Sequence, residues 1–183
     1  EFMFRWFGSG KFNLLTSYHY FRSQFIQPST GKYLPSAWDN RHLLTLSGTY
    51  KLPKNWDIGL KLRVMGGAPF TPYDENLSSI VSAWDATARP YYDYGLYNTG
   101  RLKTFSQIDF RLDKSFYFKG VMLGIYIDLQ NIGNFKYDSQ PVLVSTGVVD
   151  PQIYPDGNQH YKMKYIRQQS GTILPTLGLT VEF

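Results

Sequence analysis

Hydrophobic and polar residues alternate one for one along most of this chain's ordered stretches, the period of a β-strand whose two faces meet different surroundings. Near the middle, Trp56, Ile58, Leu60, Leu62 and Val64 alternate with Asp57, Gly59, Lys61 and Arg63. Val121, Leu123, Ile125, Ile127 and Leu129 do the same against Met122, Gly124, Tyr126, Asp128 and Gln130. The last residues place Leu177, Leu179, Val181 and Phe183 on one side and Gly178, Thr180 and Glu182 on the other. Four further stretches follow the rule less strictly: Phe2 to Trp6, Lys11 to Phe25 with Leu15 and Phe21 out of phase, Arg41 to Leu52, and Phe105 to Phe116. Seven strands are predicted, and the chain is expected to be all-β.

The connections carry as much information as the strands. Gly8-Ser9-Gly10, Pro53-Lys54-Asn55 and Lys119-Gly120 are turn sequences. Between them lie long polar stretches rich in Gly, Pro, Ser and Tyr, at about 27–40, 66–103 and 131–170. Loops of that length are anomalous in a compact soluble domain. Strict alternation of short and long is the signature of an antiparallel up-and-down transmembrane β-barrel, whose tight turns face the periplasm and whose extended loops face the exterior. Bacterial barrels of one chain have even strand numbers, so seven strands predict a segment of a larger barrel. An open sheet in lipid would leave two unpaired edges, so further strands are expected from elsewhere. Tyr161 to Arg167 is expected to extend one strand beyond the membrane.

Composition narrows the class. Aromatic residues make up 17% of the 183 positions, with 15 Tyr and 13 Phe, which suits girdles at two membrane interfaces. There is no cysteine, so neither disulfides nor thiolate metal sites are available. The longest apolar run, about Val121 to Ile127 with one glycine, falls far short of the ~20 residues of a transmembrane helix. A net charge of +5, spread without a basic block, gives no support for a nucleic-acid partner. The chain opens as EFMFRWF, in strand-like alternation rather than as a leader. The expectation is a processed chain or a piece of something longer.

Candidate chemistry is sparse. His19, His42 and His160 follow no metal-ligand spacing, and neither a metal nor a cofactor is expected. Asp57, Lys61, Arg63, Asp109, Arg111, Asp113 and Asp128 all fall on the polar phase of their strands, where a water-filled lumen needs them. Asp39, Arg41 and His42 are expected to fix a loop where it joins the sheet. Gly66-Gly67 with Pro69 and Pro72 predicts a bend, and no helix follows it that could complete a phosphate-binding loop. Nothing resembles a nucleophile elbow, so no enzymatic activity is expected. Trp84, Arg89, Tyr91, Tyr92, Tyr94 and Tyr97 cluster in the second long loop as candidate ligand contacts, because aromatic rings with polar tips grip mixed ligands.

Three motifs carry a family resemblance. The segment PSAWDNRHLLTLSGTYKLPKNWDIGLKLRVMGGAPFTPYD (35–74) resembles the region near the end of TonB-dependent outer-membrane receptors, especially those of Bacteroidetes type. Its matching residues include Trp38, Asp39, Arg41 and His42, then Gly48, Tyr50 and Leu52, and finally Gly67, Pro69, Thr71 and Pro72. FSQIDFRLDKSFYFKGVMLGIYIDLQNIGNFKY (105–137) is similar in the same way, ending on Asn131, Asn134 and Tyr137. Gly178, Val181 and Phe183 match the carboxy-terminal signal read by the barrel-assembly machinery, with Leu177 where that signal usually carries a polar residue. The resemblance implies a 22-stranded barrel filled by an amino-terminal plug, driven by TonB through that plug, which takes up a nutrient across the bacterial outer membrane. This chain would supply the last seven strands, with its loops extracellular and its carboxy-terminus periplasmic. Its partners would be outer-membrane lipid, the remaining strands and plug, and the assembly machinery. The residues alone leave two other readings open. One is a complete eight-stranded barrel, an adhesin or lipid-modifying enzyme, with its extra strand near Tyr161 to Gln168. The other is a soluble lipocalin-like barrel.

Overall fold

The computed structural model describes every residue except Ser9 and Ser29. Seven strands form one sheet: β1 (Phe2–Gly8), β2 (Phe12–Tyr20), β3 (His42–Leu52), β4 (Trp56–Met65), β5 (Phe105–Phe118), β6 (Val121–Gln130) and β7 (Leu174–Glu182). Each strand pairs antiparallel with the next in sequence. This is a meander, and it places the three tight connections on one end of the sheet and the three long ones on the other. Backbone conformation suits the turns: Lys54 and Asn55 have φ of 62° and 59°, and Gly120 has φ of 80°. In the first turn, Ser9 lies outside the described residues.

Register aligns the alternation across all the strands. One row runs Gly8, Phe12, Tyr50, Ile58, Leu112, Ile127, Leu177. The row beside it, on the opposite face, runs Phe7, Asn13, Thr49, Gly59, Arg111, Asp128, Thr176. Because paired residues share a face, the sheet has one apolar and one polar side. No described element covers the apolar side: Leu177 is 74% exposed and Leu60 51%. The chain presents 12532 Å² of surface, whereas a compact fold of its 21.2 kDa would present about 9,100 Å².

The long connections are more ordered than their composition suggests. Residues 66–103, expected to be irregular, contain α1 (Glu75–Ser79) and α2 (Val81–Thr87). Asp74 caps α1 by accepting from the Leu77 N–H at 2.9 Å, and Ala88 ends α2 in the left-handed region with φ of 51°. The expectation of no helix after Gly66-Gly67 is therefore corrected, although helices of five and seven residues are too short to hold a phosphate. Residues 131–170 hold a hairpin, Val142–Val149 with Tyr161–Ile166. The strand expected at 161–167 thus pairs inside its own loop and adds nothing to the seven-stranded sheet. The second strand, expected to reach Phe25, stops at Tyr20; Gln24–Ile26 pairs instead with Tyr33–Pro35.

The sole buried hydrophobic side chain among the described residues is Leu143, at 1% exposure, and it belongs to the loop hairpin. Leu143→Ala is expected to cost about 2 to 5 kcal/mol locally. Amide hydrogen exchange should then accelerate in 142–166 and stay unchanged in β3 to β6.

Candidate functional site

The polar wall is built from residues far apart in sequence that the register brings side by side. All seven expected wall residues, Asp57, Lys61, Arg63, Asp109, Arg111, Asp113 and Asp128, lie on the polar face. Asp109 is its best-connected carboxylate. It accepts from the Arg63 guanidinium at 3.3 Å, the Gln107 amide at 2.6 Å and the backbone N–H of Asn131 at 3.0 Å. That last bond ties the wall to the base of the third loop. Asn131 continues inward: its side-chain amide donates to the Phe135 and Thr172 carbonyls, at 3.0 and 3.3 Å, and so closes the loop's neck.

One row would be unfavourable by itself, since Asp57 stands directly opposite Asp113 and like charges across a sheet repel. Arg111 offsets this by turning along its own strand onto Asp113, with N···O distances of 2.7, 2.9 and 3.1 Å. Lys51 faces Asp57 from the other side. The same guanidinium lies 4.0 Å above the Tyr126 ring, a cation–π contact. Lys61, Arg63, Asp109, Arg111, Asp128 and Gln130 line a groove of about 480 Å³ on this face. Its mixed charge suits water and polar solutes.

Above the wall, the three long connections lock into one cap. Asp39 is the first clamp, at 2% exposure. It accepts from the Ser23 N–H at 2.9 Å and from the Arg101 guanidinium, which also bonds the Asp39 carbonyl. Burial pushes this carboxyl up, but the Ser23 bond, the Arg101 bond and charge, and Arg41 together hold it below the ordinary range. Asn98, also buried, donates to the Pro35 carbonyl at 2.8 Å, and its N–H donates to Thr71 Oγ1 at 3.1 Å. Gln140 then reaches the Thr71 carbonyl from the third loop at 2.8 Å. The expected anchoring role of Asp39 is present here, with Arg101 as the partner the sequence did not reveal. His42 instead meets the Tyr18 hydroxyl at 2.8 Å.

The second and third loops share a clasp that sequence reading missed. His160 is fully buried; its Nδ1 lies 2.7 Å from Ser79 Oγ, its Nε2 lies 3.0 Å from Asp156, and its ring stacks on Tyr154 at 3.9 Å. The trio has the composition of a hydrolytic triad, but Ser79 Oγ also lies 2.8 Å from the Asn76 carbonyl and the imidazole is closed to solvent. In this arrangement the trio joins α1 to the third loop as a brace. Tyr165 donates to Glu75 at 2.6 Å and Tyr161 to Asp85 at 3.2 Å. Burial, followed by the bond and charge of Glu75, pushes the Tyr165 phenol up to about 12.

The six loop residues proposed from sequence do not converge on one pocket. Tyr91 is internal, its hydroxyl on the Ala83 carbonyl at 3.3 Å and its N–H on Ser78 Oγ at 2.8 Å. Tyr97 packs edge-on against Phe25 at 5.7 Å, and Trp84 is half-buried in α2. Arg89 is exposed. Tyr92 and Tyr94 do present open faces: Tyr92 stacks on Tyr73 at 4.8 Å, and Tyr94 follows at 6.2 Å with 68% exposure. Tyr73, absent from the sequence-based set, completes this ladder. At the chain's end, Val181 stands opposite Leu123 on the apolar face, Gly178 stands opposite Tyr126 on the polar face, and Phe183 is fully exposed. Among the described residues, no group of three His, Asp or Glu side chains is arranged to hold a metal ion. Comparison with protein-family models, with curated proteins and with solved structures returns no match.

Arg101→Ala leaves the buried Asp39 charge without its main partner, and such a loss typically costs about 3 to 5 kcal/mol. Limited proteolysis should then cut near 23–40 and 98–103 while sparing the strands. The intact clamp should also respond to acid. Because the folded Asp39 carboxyl lies below its ordinary value of 3.8, its stabilisation is complete above that pH and is lost as pH falls through the folded value. Loop protection in the native protein should therefore fall selectively below about pH 3.8, and unchanged protection there would remove Asp39 as the clamp.

Proposed function

We propose that this chain forms the carboxy-terminal wall of a transmembrane β-barrel in the bacterial outer membrane, as the last seven strands of a 22-stranded TonB-dependent transporter that takes up a nutrient. The observation that carries the reading is the uncovered apolar face, backed across the same strands by a charged one. In water such a face is a liability, and in a bilayer it is the surface lipid requires. Strands β2, β3, β4, β6 and β7 have 9 to 11 residues, matching the ~9 to 11 that span a bilayer when tilted. The motif resemblance supplies the family, the plug and the coupling to TonB.

In this reading the chain makes and breaks no bond. Its loops are extracellular, its tight turns and carboxy-terminus periplasmic, and its edge strands β1 and β7 pair with the remainder of the barrel. The polar face borders the plug and the transport path. Tyr73, Tyr92 and Tyr94 offer the ring faces that meet the nutrient first, with Arg89 and Trp84 nearby in sequence. The alternative of an eight-stranded barrel closed by Tyr161 to Gln168 draws less support, because that segment pairs within the third loop.

Site-directed spin labels on the natural full-length chain in outer-membrane vesicles test the proposal. Labels replacing Leu60, Ile125 and Leu179 should be relaxed by oxygen, which concentrates in lipid. Labels replacing Lys61, Asp109 and Asp128 should be relaxed by a water-soluble nickel chelate. The reverse pattern would end the membrane reading.

A further inference from the structure

We infer that Tyr126 and Gly178 form a ring-over-glycine joint that sets the register of the carboxy-terminal strand, a role for Gly178 inside the molecule rather than toward the assembly machinery. The inference rests on the barrel reading and deepens it.

Two kinds of slip threaten the pairing of β7 with β6. A shift by one residue exchanges the faces and turns Leu177, Leu179 and Val181 into the polar side, so the hydrophobic pattern forbids it. A shift by two residues keeps every face. It merely trades Leu177 for Pro175 or Leu179 opposite Ile127, and the apolar alternation has nothing to say against it. The obstacle has to come from side-chain shape on the polar face.

That face of β7 carries Thr176, Gly178, Thr180 and Glu182. Tyr126 stands opposite Gly178, and its ring lies across the glycine so closely that a Cβ built there would fall on ring atoms Cζ and Cε1 and on the phenol oxygen. Gly178 sits within the strand and outside the left-handed region, so the backbone does not demand glycine. The ring does. Arg111 also packs on it, its guanidinium carbon 4.0 Å from the centroid. Asp113, opposite Tyr126 on β5, fixes that guanidinium through contacts of 2.7, 2.9 and 3.1 Å. Arg111 and Asp113 thus hold the ring from β5, and in the native register it lies over Gly178. A two-residue slip would slide Thr176 or Thr180 beneath it, and a β-branched side chain does not fit where a hydrogen now sits.

These 183 residues contain no cysteine, so engineered pairs report register cleanly once any cysteine elsewhere in the full-length chain is replaced by serine. In the natural full-length chain in outer-membrane vesicles, Ile127→Cys with Leu177→Cys reports the native register. Ile127→Cys with Leu179→Cys or Pro175→Cys reports the two slipped ones. The native pair alone should form a disulfide under mild oxidation, and Tyr126→Phe should leave that result unchanged. Tyr126→Ala should let a slipped pair form as well. Gly178→Val should lose the native cross-link, and adding Tyr126→Ala to it should restore that cross-link to the level of Tyr126→Ala alone. The joint is overturned if Gly178→Val keeps the native cross-link, or if Tyr126→Ala fails to rescue it; lack of rescue is what recognition of Gly178 by the assembly machinery predicts. Native cross-linking of a protein that stays in the aqueous fraction would instead sink the barrel reading and leave the joint standing.

Discussion

The sheet has a greasy side that no described element of the chain covers, and the remaining architecture is organised around that fact. A soluble domain folds because two layers bury a common core; here the seven strands make a single layer. Trp6, Ile58, Leu112, Ile127 and Leu177 share one face with no second sheet or helix across from them. Cohesion between these strands comes from the ladder hydrogen bonds and from neighbours on the same face. The driving force for apolar contact has to come from what lies outside the chain. In that sense the solvent is part of the fold, and the polar face is its mirror image: Arg63, Asp109, Arg111 and Asp113 pair among themselves because water is their only other option.

The same constraint explains why the loops are held as they are. With Leu143 as the single buried hydrophobic side chain among their described residues, the long connections cannot be organised by a core. They are organised by buried polar groups whose partners are fully specified: Asp39 with Ser23 and Arg101, Asn98 with Pro35 and Thr71, His160 with Ser79 and Asp156. Buried polar groups cost heavily when unpaired, so each clamp tolerates essentially one arrangement of the segments it joins. A polar cap of this kind is rigid without being greasy. Exposed rings such as Tyr92 and Tyr94 are then presented from a fixed platform, at little further cost in conformational freedom on contact.

How much of this could be seen in the sequence follows from the range over which each signal acts. The strands were legible because their cause is local: a residue such as Lys61 differs in polarity from Leu60 and Leu62, and the pleat sends the two kinds to opposite faces of the sheet. Antiparallel order followed from the lengths of the connections. The short helices were not legible, since five and seven residues give a 3.6-residue period nothing to repeat in, although Asp74 ahead of Glu75 was an available capping signal. The clamps were hidden for a different reason. Asp39 and Arg101 are 62 positions apart, and nothing near Arg101 distinguishes it from a solvated loop arginine. Tyr91 and Tyr92 show the limit most plainly, because adjacent tyrosines of identical chemistry take opposite roles, one bracing α1 and the other facing outward.

Gly178 joins the local and the distant scales. Read along the chain it is a polar-phase position in a terminal strand and one element of a carboxy-terminal motif; read across the sheet it is the space into which Tyr126 fits. The alternation that makes the strand recognisable has a period of two, and a pattern of that period cannot distinguish one two-residue register from the next. Any sheet specified by alternation alone therefore needs an aperiodic feature to fix its alignment. Between β4 and β5 a charge pair serves this purpose, Arg63 meeting Asp109. The last strand has no such pair with β6, because its polar face carries two threonines, a glycine and Glu182 near the end. A bulky ring seated over the smallest residue supplies the missing asymmetry, at a strand that forms one edge of the seven-stranded sheet.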